Sequence, residues 1–98
     1  MAAHETDEEK KEYLPPLTFT SIVFPFYTQA LIKLGLIADP VTGGKEENLE
    51  LAKRLIDILD LLADRTKGNL EPEEDKFLEG LLSQLKMTYL EKANIVKL

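Results

Sequence analysis

Leu51-Ala52-Lys53-Arg54-Leu55-Ile56-Asp57-Ile58-Leu59-Asp60-Leu61-Leu62-Ala63 is the stretch that decides the fold. On a helical wheel Leu51, Ala52, Leu55, Ile56, Ile58, Leu59, Leu62 and Ala63 fill an arc of roughly 160°, against the roughly 100° of an ordinary surface helix. One neighbouring helix cannot cover that arc. Asp57, Asp60 and Asp64 share the opposite face with Lys53 and Arg54, at spacings that allow solvent-exposed pairing. Glu46, Glu47 and Glu50 lie toward the positive end of the helix dipole, and Arg65 and Lys67 toward the negative end. The pattern predicts a helix over about residues 46–66.

Before it, Asp39-Pro40-Val41-Thr42-Gly43-Gly44 is dense in turn formers and reads as a surface loop. A first helix is predicted over 19–34, with Thr18 as N-cap, Leu17 and Ile22 placed as a hydrophobic staple, and Gly35 as the left-handed terminator. Phe19, Ile22, Val23, Phe26, Ala30 and Leu34 recur at helical spacing, while Phe24, Tyr27 and Leu31 widen the apolar surface. Pro25 cannot donate to the Ser21 carbonyl, so a kink or a looser first turn is expected. After the second helix, Gly68 is expected to form a left-handed cap, with Leu70 folding back on the last apolar turn. Pro72 opens a third helix over 72–92, stabilised by Glu73, Glu74 and Asp75. Phe77, Leu78, Leu81, Leu82, Leu85 and Tyr89 mark its buried face, and Gly80 within it suggests a close helix contact. The fold class is all-α, a small three-helix bundle over residues 17–98.

Residues 1–16 carry Glu5, Asp7, Glu8, Glu9 and Glu12 against Lys10 and Lys11, with little to bury, and read as a disordered acidic tail ended by Pro15 and Pro16. This amino terminus has no basic region followed by an apolar run, so no secretory signal is expected. The uncharged run from Leu14 to Ile32 holds three prolines, three threonines, a serine and a glutamine, too much for a membrane span. The chain has no cysteine, which excludes disulfides and thiolate sites and fits a cytoplasmic placement. A net charge of −6 opposes the counterion release that dominates nucleic-acid binding, so no nucleic-acid partner is expected.

The side chains do not supply a catalytic set. The lone His4 lies in the tail, where nothing orients it as a base. Asp57 with Asp60 or Asp64 could hold a hard cation only if a third oxygen converged, and the abundance of carboxylates and their salt bridging suffice to explain the pairs. No glutamate is followed three residues later by histidine, as a di-iron bundle would want. Gly43-Gly44-Lys45 lacks the glycine spacing and hydroxyl of a phosphate loop, and Glu46 and Glu47 would repel phosphate. We therefore expect no enzyme activity, catalytic residue, cofactor or metal.

Ala52-Lys53, Ile56-Asp57, Leu59, Leu62, then Thr66-Lys67-Gly68-Asn69-Leu70, Glu73-Glu74 and Leu85-Lys86-Met87 resemble the bacterial family labelled domain of unknown function 1844. Phe19 through Leu34-Gly35 and Asp39-Pro40 are similar too, so the likeness spans about Thr18 to Tyr89. Pro25 and Gly80 depart from the family pattern. The resemblance implies a short cytoplasmic helical protein and carries no catalytic or cofactor residues.

A chain this short buries only about 60–65% of its unfolded surface, so apolar surface that three helices cannot mutually cover must meet something else. The expectation is a helical protein–protein interaction or oligomerisation module, most simply a homo-oligomer, with Phe19, Val23, Phe26, Leu51, Leu55, Ile58 and Leu62 at the interface. Two other readings follow from the same residues. One is a carrier or sensor with an apolar ligand pocket lined by Phe19, Phe26, Leu55 and Phe77. The other is a peripheral membrane subunit using the uncharged first helix, although basic residues that would meet anionic lipid are scarce there.

Overall fold

A computed structural model describes residues 17–94, which form three helices: α1 (Phe19–Lys33), α2 (Leu49–Arg65) and α3 (Pro72–Lys92). The all-α three-helix reading is borne out. The acidic tail 1–16 and the terminal Ile95 and Val96 lie outside the described residues.

The ends of α1 follow from local chemistry. Thr18 and Ser21 cap reciprocally: the Ser21 N–H donates to the Thr18 Oγ1 at 3.2 Å, and the Thr18 N–H donates to the Ser21 Oγ at 3.2 Å. The expected staple does not form, because Leu17 is 96% exposed and leaves Ile22 half in solvent. The helix runs through Pro25, which faces water. At the other end the Leu36 N–H donates to the Leu31 carbonyl and the Gly35 N–H to the Ile32 carbonyl, each at 3.0 Å. Gly35 has φ +79°, as this Schellman closure requires.

The start of α2 differs from the expected position. Glu46 and Glu47 precede the helix, and Asn48 caps it by accepting from the Leu51 N–H at 3.1 Å, leaving Glu50 as the acid of the first turn. Glutamates are good helix formers and suit a helix start, which hid the stronger capping preference of Asn48. The Asn48 N–H donates to the Lys33 carbonyl at 2.7 Å, which places the start of α2 at the end of α1. The intervening loop closes on Asp39, whose Oδ1 accepts from the Val41 N–H at 2.8 Å.

Past Arg65 the chain turns between Thr66 and Asn69, where the Asn69 N–H donates to the Thr66 carbonyl at 2.9 Å. Gly68 sits within this turn at φ +84°, one residue beyond the expected cap position, and Leu70 packs against the core. Pro72 begins α3, and the Glu74 carboxylate accepts from the Glu71 N–H at 2.9 Å. The helix ends on Asn94 at φ +63°, the non-glycine residue type that best tolerates that region. Lys92 lies 3.4 Å from Glu47, so the end of α3 returns to the start of α2. Each helix therefore runs antiparallel to the one before it.

Val23, Ala30 and Leu34 meet Ala52, Ile56 and Leu59 of α2 and Leu78, Leu81, Leu82 and Leu85 of α3 in one buried cluster. Leu59 and Leu85 are fully buried. Leu59→Ala should therefore cost about 2–5 kcal/mol in urea denaturation, the range for a buried leucine whose cavity cannot fully collapse.

Gly80 does not mark a close contact. A methyl group there would meet nothing within 4 Å, whereas one at Gly35 would come within 3.2 Å of the Glu47 Cγ. Gly80→Ala should raise stability by about 1 kcal/mol, as helix propensity dictates. Gly35→Ala should lower it by about 1–2 kcal/mol, since alanine must hold a positive φ. Thermal unfolding of the two variants should move in opposite directions.

Candidate functional site

α2 carries a charged side and an apolar side, while Phe24 of α1 and Phe77 and Met87 of α3 are further exposed apolar side chains outside both. Its row Lys53, Asp57, Asp60 and Asp64 borders α3. Lys86 of α3 lies 3.1 Å from the Asp60 carboxylate, and Lys53 pairs with Asp57 at 2.9 Å. A cleft of about 400 Å³ between α2 and α3 is lined by Asp60, Asp64, Asp75 and Glu79 with Lys67 and Lys86. A smaller notch of about 260 Å³ lies between Ile56, Tyr89 and Leu90, with Lys53, Asp57 and Lys86 around it. Asp57 and Asp60 each face an ammonium, and no group of three potential metal-ligating side chains occurs among the described residues.

Of the residues expected at an interface, all but Val23 occupy the other side. At 100° per residue, Leu51, Leu55, Ile58 and Leu62 lie about 160° around α2 from the row that borders α3. On α1, Tyr27 points to α3, where its hydroxyl donates to the Gln84 Oε1 at 3.3 Å. Ile22 and Phe26 stand about 120° away from Tyr27 on the wheel. The antiparallel α1–α2 hairpin thus carries both sets on the flank turned away from α3. Leu51 is 46% exposed, Ile22 50% and Phe26 36%, while Phe19, Leu55, Ile58 and Leu62 are half-buried between them.

Two corrections to the expected set follow. Val23 is fully buried in the core and presents no surface to a partner. Its position in the wide apolar arc of α1 did not separate the face that meets α2 and α3 from the face beside it. Ile22 belongs to the exposed face in its place, since no staple occupies it. Leu61, 55% exposed, lies on the outermost line of α2 beside Arg54 and Arg65. Its i+3 spacing from Ile58 was the available signal. The four residues expected around an apolar ligand do not close on one interior space: Phe26 and Phe77 reach the surface, and Phe19 and Leu55 are half-buried. No described helix is long and apolar enough to cross a membrane.

The hydrogen bond and charge of Asp57 hold the exposed Lys53 ammonium above the ordinary lysine range. A raised lysine pKa favours the folded state below the unfolded lysine value and loses that contribution as pH rises through the folded one. Asp57→Asn should return the Lys53 titration toward the ordinary value, read from its side-chain NMR shifts. Any stability difference between the two proteins arising from this pair should vanish above the raised Lys53 pKa.

No curated protein and no solved structure matches the chain. A family match covers residues 16–91, from just before the α1 cap to the last turn of α3. α1, α2, the loop between them and all of α3 but Lys92 fall within it. The chain belongs to the family described as Domain of unknown function (DUF1844).

Proposed function

We propose that this chain is a non-enzymatic, cytoplasmic helical interaction module that self-associates through the α1–α2 face. The observation that carries this reading is the exposure of Ile22, Phe26 and Leu51 together on one flank of a bundle whose core is already closed without them. Covering an exposed leucine or phenylalanine gains about 1.5–3 kcal/mol per side chain at full burial, and the half-buried Phe19, Leu55, Ile58 and Leu62 make the patch continuous. The opposite side of α2 is laced with ion pairs open to water, which need no partner. The excess of acid across the chain argues for a protein surface over nucleic acid.

Light scattering at tens of micromolar should give a mass above that of one chain. Leu51→Asp and Phe26→Asp should each weaken association by about a hundredfold or more, because an unpaired carboxylate would be buried. Both variants should keep the wild-type helical circular dichroism. A wild-type protein that stays monomeric at that concentration overturns the proposal.

A further inference from the structure

We infer that the α1–α2 face is covered by a second copy of this chain, related by a two-fold axis that passes between the two α2 helices at the level midway between Leu55 and Ile58 and sets them antiparallel. This rests on the α1–α2 face being an association surface and adds the occupant and its direction.

The spacing supplies the first observation. Leu51, Leu55, Ile58 and Leu62 follow one another by four, three and four residues, the 3.5-residue period of a helix-to-helix seam. The series is also palindromic about the midpoint of Leu55 and Ile58. A copy running the opposite way therefore sets Leu51 against the partner's Leu62 and Leu55 against the partner's Ile58, which meets the self-complementarity of a two-fold interface.

Charge supplies the second. Arg54 and Arg65 lie along the outer flank of this seam, and Glu50 lies on the same flank in the first turn; all three are exposed. A parallel two-fold pairing would set this outer flank beside the partner's α1, which carries no acidic residue for Arg54 or Arg65 to meet. The antiparallel pairing brings Arg65 to within two residues of the level of the partner's Glu50, about 3 Å along the axis, an opposite pair repeated twice by symmetry. It also aligns the two helix dipoles favourably. Ile22 and Phe26 of α1 extend the contact on the inner side of the seam. The hairpin face is about 25 Å long and about 20 Å wide for two helices side by side, roughly 500 Å² per copy. Two such faces come to about 1,000 Å², the threshold for a specific interface, which places this assembly among the weak dimers.

The chain has no cysteine, so introduced thiols are unique. Leu51→Cys and Leu62→Cys proteins, mixed at tens of micromolar and treated with a short bis-maleimide, should give covalent dimer. Leu51→Cys alone should give little, because the two thiols are about 16 Å apart along the axis of an antiparallel pair. Efficient crosslinking of each single variant with itself means a parallel pair. It overturns this inference while leaving association through the α1–α2 face intact. An assembled protein that crosslinks in neither way overturns it too, and the mass of Leu51→Asp then decides whether that face is used at all. A monomeric wild type removes both.

Charge reversal gives an independent readout. Glu50→Arg and Arg65→Glu should each raise the dimer Kd about 3- to 10-fold, and the double variant should recover most of that loss. The two positions are about 22 Å apart on one helix, so recovery in Kd cannot arise within a chain. Additive weakening in the double variant overturns the antiparallel arrangement.

Discussion

α2 has more apolar circumference than its two neighbours can take, and the architecture follows from how that surface is shared. Ala52, Ile56 and Leu59 point to where α1 and α3 converge, and they are buried there. Leu55 and Leu62 reach the edge of α1 and are half-covered by it. Beyond them Leu51 remains 46% exposed, since neither α1 nor α3 covers the rest of it. A unit this small has little burial to spare, so leaving such side chains in water costs a large share of what the core provides. The loop after α1 tightens this arrangement without relieving it. Glu47 lies against Gly35 and reaches Lys92, holding the ends of all three helices together at the pole where α2 begins.

The helices themselves were legible because their periodicity and their punctuation agree. Thr18, Gly35 and Pro72 each mark a boundary by a separate physical device, a side-chain cap, a left-handed residue and a fixed φ, and the structure uses all three. The start of α2 was misread because Glu46 and Glu47 satisfy the dipole as well as the propensity criterion, while the capping oxygen belongs to Asn48. The staple was misread for a different reason. Leu17 and Ile22 have the right spacing, but packing them together requires the entering chain to turn back over the helix, and Leu17 points into solvent instead. Spacing along one segment does not encode that direction.

The exposed apolar α1–α2 face was legible in part. Its α2 half could be read from the width of the apolar arc, since no arc of that size fits against two helices. Its α1 half could not be resolved, because α1 is apolar on nearly every side and the wheel alone does not say where α2 and α3 will sit. Val23 and Ile22 are adjacent in sequence and equally hydrophobic, yet one is in the core and the other is outside. Only the hydrogen bond from Tyr27 to Gln84 and the return of α2 along α1 fix which flank faces α3.

The distribution of charge explains why the uncovered flank is on this side of the hairpin and not the other. Where α2 borders α3, four charged side chains of α2 alternate with Lys86, Glu79 and Asp75 of α3, and burying them against another protein would require desolvating several ions at once. The ion pairs that do form there are exposed and contribute little to stability, so their physical consequence is to keep that side wet. On the opposite flank Arg54, Arg65 and Glu50 lie along one margin and Lys33 at the end of α1, and the surface between them, from Ile22 and Phe26 to Leu51, Leu55, Ile58 and Leu62, is largely hydrocarbon. A surface built as an apolar centre with charges at its edge gains from being covered, and its edge charges can select the direction of what covers it. The same helix that closes the core thereby separates the ion-paired side of the hairpin from its exposed apolar side.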